Sequence, residues 1–116
     1  MKKIRRYPTA LTIAGSDSGG CAGIQADLKT FSSLGVFVAS VITAITAQNT
    51  AEVRAVEVLS TEIIKKELEA VLDDMTVDVI KTGMLPSIEI IELVASIIDR
   101  YNLPSVIVDP VMVATS

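Results

Sequence analysis

The stretch from Thr9 to Leu34, TALTIAGSDSGGCAGIQADLKTFSSL, limits what this chain can fold into more than any other. A short apolar run, Ala10 to Ala14, reads as a buried strand. It passes into a polar, glycine-rich turn from Gly15 to Gly23. After it, Ile24, Leu28, Phe31 and Leu34 recur at offsets of four, three and three, which places them on one face of a helix. Strand, tight turn and helix form the repeating unit of layered α/β folds. Such a turn brings backbone N–H groups close to whatever lies above the strand, an arrangement suited to a small polar ligand or a phosphate.

The rest of the chain repeats the pattern. Gly35 is placed to end the helix in the left-handed conformation. Val38 to Thr46 is rich in β-branched residues and predicts a second strand, which stops at the polar Gln48-Asn49-Thr50. Glu52 to Leu59 alternates charged and apolar residues, the mark of a half-exposed edge strand. Ser60 or Thr61 caps a helix running to about Met75, with Ile64, Leu68, Val71, Leu72 and Met75 inward. Val77 to Lys81 is a short strand. Pro86 and Ser87 open a third helix with Ile88, Ile91, Val94 and Ile98 on its inner stripe. Ser105 to Asp109 predicts another buried strand, and Pro110 to Ser116 a trailing loop. The fold expected is a three-layer α/β/α arrangement around a mostly parallel sheet with right-handed crossovers.

Composition sharpens this and excludes several function classes. Half of the 116 residues are hydrophobic but only 3% are aromatic, so Val, Ile, Leu and Ala must fill the core, as in parallel sheets buried on both faces. Mean hydropathy is +0.54, yet no run approaches the ~18 apolar residues of a membrane span. A net charge of −4 argues against nucleic-acid binding, and the cluster Lys2, Lys3, Arg5 and Arg6 reads as a solvated tail. Cys21 is the single cysteine, so there is no internal disulfide, and the N-terminus lacks the pattern of a secretory signal. A cytoplasmic protein is expected. Without histidine, imidazole ligation of a metal and imidazole base chemistry are excluded within these residues.

Four strand ends carry polar segments: Gly15-Ser16-Asp17, Gln48-Asn49-Thr50, Lys81-Thr82-Gly83-Met84 and Asp109-Pro110-Val111. In open α/β sheets such ends meet along one rim, where ligands bind. The glycine turn is neither a P-loop, which needs a Lys after its last Gly, nor GxGxxG, because Gly19, Gly20 and Gly23 are wrongly spaced. Gln48 offers one acceptor and two donors, enough to pair twice with an aminopyrimidine edge, or else to cap a strand end. Met84 is either a soft apolar wall or core packing. Asp17 and Asp27 are each placed to contact ligand, though Asp27 also suits dipole compensation in the helix's first turns. Lys81 is read as a phosphate neutraliser or an ordinary strand-end lysine. Asp109 lies near a cation and phosphate or braces the next turn. Cys21 is at a helix start, where thiol pKa falls, but is read as a small residue filling a tight slot.

The stretches ALTIAGSDSGGCAGIQADLKTFSSLGV, SVITAITAQNT, VIKTGMLPS and VIVDPVMVATS, in this order and spacing, resemble the N-terminal half of the hydroxymethylpyrimidine/phosphomethylpyrimidine kinases of thiamine biosynthesis. These belong to the ribokinase-like superfamily. Cys21 departs from the glycine or other small residue usual there. The resemblance implies ATP- and Mg²⁺-dependent phosphorylation of 4-amino-5-hydroxymethyl-2-methylpyrimidine, and then of its monophosphate, by a protein that commonly forms a homodimer. Carried over, Gln48 holds the pyrimidine edge, while Gly15, Asp27, Met84 and Val111 line the same pocket. The family's catalytic residue, anion hole and most ATP contacts belong to a C-terminal half that has no counterpart here. The 116 residues are therefore expected to be a substrate-binding part, inactive alone, with no catalytic residue and no metal ligand set of their own. Pyridoxal kinases share the opening motif and the TGMLP and DPVM stretches, so a pyridoxal kinase remains the alternative, as does a non-catalytic pyrimidine-binding module.

Overall fold

The computed structural model describes residues 7–103 and 105–109. Eight elements follow one another: β1 (Thr9–Asp17), α1 (Gly23–Ser33), β2 (Phe37–Gln48), β3 (Val53–Val58), α2 (Thr61–Asp74), β4 (Val79–Thr82), α3 (Ile88–Arg100) and β5 (Val106–Val108). They build one five-stranded sheet in the order β3-β2-β1-β4-β5. β1, β2, β4 and β5 are parallel, and β3 alone runs antiparallel, on the edge beside β2. The expected α/β architecture with a mostly parallel sheet is therefore present. No helix among the described residues is long and apolar enough to cross a membrane.

Alternation along β1 sorts the layers. Leu11 and Ile13 point into one core, shared with Val41 and Ile80 of the sheet, Ile64, Leu68 and Leu72 of α2, and Ile90, Val94 and Ile97 of α3. The residue between them, Thr12, faces the opposite side, where its hydroxyl reaches Asp27 of α1. One helix thus covers one face and two helices the other. The chain leaves β1 for β2 on one side and later returns to β4 on the other, so β1 and β4 flank the switch in strand order.

Local signals account for most helix ends. Ser60 and Ser87 are the N-caps of α2 and α3, accepting from the N–H of Ile63 and Ile90. α1 ends in a Schellman arrangement: Gly35, at φ +75°, donates to the Ser32 carbonyl and Val36 to that of Phe31. α1 begins at Ala22, which has no side-chain cap of its own.

Several expectations need correction. β1 does not stop at Ala14 but continues to Asp17, because a bulge between Ala14 and Ser16 lets the strand keep pairing with β2 through its polar residues. The inner stripe of α3 is Ile90, Val94 and Ile97; Ile88 and Ile91 are exposed. Offsets of four and three fit either set, and only the helix's rotation against the sheet chooses between them. Leu34 is exposed beyond the end of α1, not inward. β3 is exposed along its whole length, not on alternate residues. β5 was expected to be buried, but as the last strand of this sheet its three residues are exposed.

α2 also protects the sheet edge that β3 leaves open. β3 pairs with β2 from Ala44 to Gln48, and Leu59 reaches the Thr43 carbonyl. The next free donor, the Ile42 N–H, bonds to Oε1 of Glu67 at 3.0 Å. The second carboxyl oxygen, Oε2, is buried with no hydrogen-bond partner among the described residues. Burial raises the Glu67 pKa above the usual glutamate range, and the Ile42 hydrogen bond opposes this only in part.

Candidate functional site

The carboxyl ends of the parallel strands open into a cavity of about 690 Å³. Its size is typical of small-molecule sites, a few hundred to about 1,000 Å³. Gly15 and Ser16 of β1, Gln48 of β2, Lys81 of β4, Met84 after it and Asp109 after β5 all contribute to the wall. Six candidates separated by up to 94 residues in sequence thus meet on one rim: Gly15, Asp17, Gln48, Lys81, Met84 and Asp109. Val111 lies outside the described residues.

The β1 end is shaped by backbone proximity. Gly23 has φ +59°, and a Cβ there would stand 2.2 Å from the Gly15 carbonyl oxygen. Ser16 and Gly23 form an isolated bridge, so the start of α1 is pressed against the bulge. Gln25 bolts this arrangement down: its Oε1 accepts from the Asp17 N–H at 2.7 Å, and its Nε2 donates to the Ser16 hydroxyl at 2.7 Å. On the cavity side, a Cβ at Gly15 would come within 3.1 Å of the Met84 Sδ. The Met84 backbone is held by the Thr43 hydroxyl, which donates to its carbonyl at 2.8 Å.

Asp17 was singled out as a possible ligand contact. Its carboxylate is turned into the loop, where Oδ1 accepts from the Gly19 N–H at 2.8 Å and Oδ2 from the N–H groups of Cys21 and Ala22 at 3.0 and 2.9 Å. It therefore fixes the turn that leads into α1, and its negative charge suits that helix end. Cys21 is exposed on this loop and does not line the cavity.

At the β2 end, the Ser18 hydroxyl accepts from the Gln48 N–H at 2.7 Å and donates to the Gln48 carbonyl at 2.6 Å. The turn after β1 is thereby tied to the strand carrying Gln48. The side chain is less occupied. Its Oε1 is 3.1 Å from the Thr46 hydroxyl, which also bonds to the Ser16 carbonyl at 2.7 Å. The amide nitrogen has no partner among the described residues, which leaves both its donors available to the cavity.

The opposite end is charged. Lys81 Nζ is 2.9 Å from Asp27 Oδ2 and 3.6 Å from Asp109 Oδ2. Asp27 is not part of the cavity wall. It stands behind Lys81, and its Oδ2 also accepts from the buried Thr12 hydroxyl at 2.6 Å. This chain of Thr12, Asp27 and Lys81 was not legible in advance. Its one sequence signal is a lysine directly after the apolar pair Val79-Ile80 at the strand end VIKT. Among the described residues no group of three or more carboxylates or thiolates is assembled to hold a metal. Asp109 is a single exposed carboxylate on the rim.

Residues 17–116 match the family model described as phosphomethylpyrimidine kinase. The hydroxymethylpyrimidine/phosphomethylpyrimidine kinase of Rhizobium meliloti (strain 1021) is 60% identical over 107 residues, which cover 92% of this chain and 40% of that protein. The crystal structure of phosphomethylpyrimidine kinase from Clostridium difficile 630 superposes with a TM-score of 0.88 at 55% identity, over 92% of this chain and 46% of the other. Pyridoxal kinase of Bacillus subtilis, solved as an ADP complex, also superposes with a TM-score of 0.88, at 44% identity, over 96% of this chain and 42% of the other. The chain thus spans less than half the length of each.

Proposed function

The chain belongs to the phosphomethylpyrimidine kinase family, and from that premise we propose that it forms the substrate pole of an ATP-dependent kinase. The acceptor we assign is the hydroxymethyl group of 4-amino-5-hydroxymethyl-2-methylpyrimidine, followed by the resulting monophosphate. The observation that carries this reading is Gln48: a carboxamide with both N–H donors unclaimed among the described residues, at one end of a cavity whose neighbouring wall is Gly15 and Met84. A flat aminopyrimidine presents ring acceptors and an amino donor along one edge, which a carboxamide matches in pairs. Met84, packed directly against the bare Gly15 backbone, offers an apolar wall to one ring face.

ATP is the phosphoryl donor in this reading. Mg²⁺ is held by one or two carboxylates together with phosphate oxygens, so Asp109 fits as one such ligand. The ion would neutralise charge on the phosphates; the residues described here bind and orient the acceptor.

A second reading, pyridoxal phosphorylation, is favoured by the likeness to the Bacillus subtilis pyridoxal kinase. Titration calorimetry and ATP-dependent phosphorylation, followed by mass spectrometry on the full polypeptide carrying these residues, separate the two. Turnover of the pyrimidine alcohol and its monophosphate is expected. Preference for pyridoxal would support the second reading, and binding of neither ring would overturn both.

A further inference from the structure

Resting on the pyrimidine-kinase reading, we propose that Lys81 is the anion-receiving residue of the cavity and that Asp109 is its displaceable partner. The phosphate of the monophosphate substrate docks on the Lys81 ammonium by taking the place of the Asp109 carboxylate, while Asp27 holds the ammonium in position.

The two carboxylates around Lys81 are unequal. Asp27 is 2.9 Å away, its side chain is 16% exposed, and the Thr12 hydroxyl pins the oxygen that Lys81 uses. Asp109 is 3.6 Å away, beyond hydrogen-bond distance, and its side chain is 57% exposed. The first pair is fixed and largely shielded. The second is screened by water and contributes little, as exposed ion pairs generally do. An ammonium carries three donors. Asp27 takes one, and among the described residues the others are open to an oxyanion that offers shorter, charge-assisted bonds.

The site is also shaped for access. The Lys81 side chain is only 15% exposed, yet it lines the cavity, and it is the one cation among the described lining residues. Gly83 makes this possible: a Cβ there would lie 3.2 Å from Lys81 Nζ and 2.9 Å from the Ala14 Cβ. Position then decides which part of the substrate arrives. Gln48 ends β2 and Lys81 belongs to β4, with β1 between them. Across the sheet two strand spacings, about 10 Å, lie between their strands, and along it Gln48 stands nearer the strand ends, since Lys81 pairs with Thr12 of β1 whereas Thr46 pairs with Asp17. A ring whose amino edge is held at Gln48 directs its phosphorylated arm toward Lys81.

A purely structural lysine, tying β4 to α1, would behave differently, and binding measurements on the full polypeptide tell them apart. Calorimetric titrations compare the pyrimidine alcohol, its monophosphate and inorganic phosphate against wild type, Lys81→Met, Lys81→Arg and Asp109→Asn. Lys81→Met is expected to weaken the monophosphate at least tenfold more than the alcohol, about 1.4 kcal/mol of discrimination. Lys81→Arg is expected to restore part of it. Asp109→Asn, an exposed change that folds readily, is expected to tighten the monophosphate several-fold by removing its competitor. Equal losses for both ligands in Lys81→Met, or an unchanged monophosphate affinity in Asp109→Asn, would overturn the proposal while leaving the pyrimidine reading standing. Tight inorganic phosphate with no gain for the monophosphate would mark an anion site unconnected to the substrate, and would also overturn it. If wild type binds neither pyrimidine, the underlying reading fails first.

Discussion

Gly23 and Gly15 touch through backbone alone: a Cβ on Gly23 would stand 2.2 Å from the Gly15 carbonyl oxygen. This contact presses the start of α1 against the bulge of β1 and thereby sets the wall of the cavity. Gly23→Ala meets both the clash and a φ of +59°, which alone costs a side chain about 1–2 kcal/mol. Destabilisation of at least ~2 kcal/mol is expected from urea denaturation, together with weakened ligand binding. Wild-type stability in this variant would contradict the packing.

Asp17 ties down the turn that leads into α1. Asp17→Ala strands three backbone N–H groups, those of Gly19, Cys21 and Ala22. Loss of a cap costs about 0.5–2 kcal/mol, and the additional bonds place this variant at the upper end. Asp17→Asn keeps an acceptor but no charge, so its denaturation midpoint should fall between those of wild type and Asp17→Ala.

The rotation of α3 can be checked with neighbouring residues. Ile90 is 1% exposed and Ile91 48%. Ile90→Ala should cost about 2–5 kcal/mol, as large-to-small core changes do. Ile91→Ala should stay within about 1 kcal/mol, since surface changes rarely exceed that. Comparable losses in thermal or chemical unfolding would restore the stripe through Ile88 and Ile91.

Glu67 gives a pH dependence of defined sign. Its pKa is raised in the folded state by burial, so the native protein binds this proton more tightly than the unfolded chain. The stabilisation is complete below the unfolded glutamate pKa and is lost as pH rises through the folded value. Glu67→Gln keeps an acceptor for the Ile42 N–H but cannot ionise. Its stability relative to wild type should therefore improve as pH rises from the unfolded glutamate pKa through the raised folded value, and level off beyond it. A difference independent of pH would show that Glu67 does not titrate in this way.

Gln48→Leu removes the free donors while the backbone ties to Ser18 remain. Pyrimidine affinity should fall about tenfold or more, in line with about 1–3 kcal/mol for buried polar groups left unpaired. The melting temperature should change little, because among the described residues the side chain makes one hydrogen bond, to the Thr46 hydroxyl, which also bonds to the Ser16 carbonyl. Retained affinity in calorimetry would remove Gln48 from the substrate pole.

The order of strands and helices, the caps at Ser60 and Ser87 and the left-handed Gly35 were legible in the sequence, because each depends on residues near one another in the chain; the meeting of strand ends followed instead from the general rule for open α/β sheets. Hydrophobic period, capping chemistry and glycine's conformational freedom act within a turn or two. Other features were settled only when distant elements met. The rotation of α3, the exposure of β3 and β5, and the engagement of the Asp17 carboxylate by the loop N–H groups depend on neighbours in space. So does the link from Thr12 through Asp27 to Lys81, which joins residues up to 69 positions apart. Local propensity assigns a residue to a strand or helix but says nothing about which charge lies across from it. That pairing is fixed by sheet order and register, which is why Asp27 and Lys81, each ambiguous alone, acquire defined roles only together.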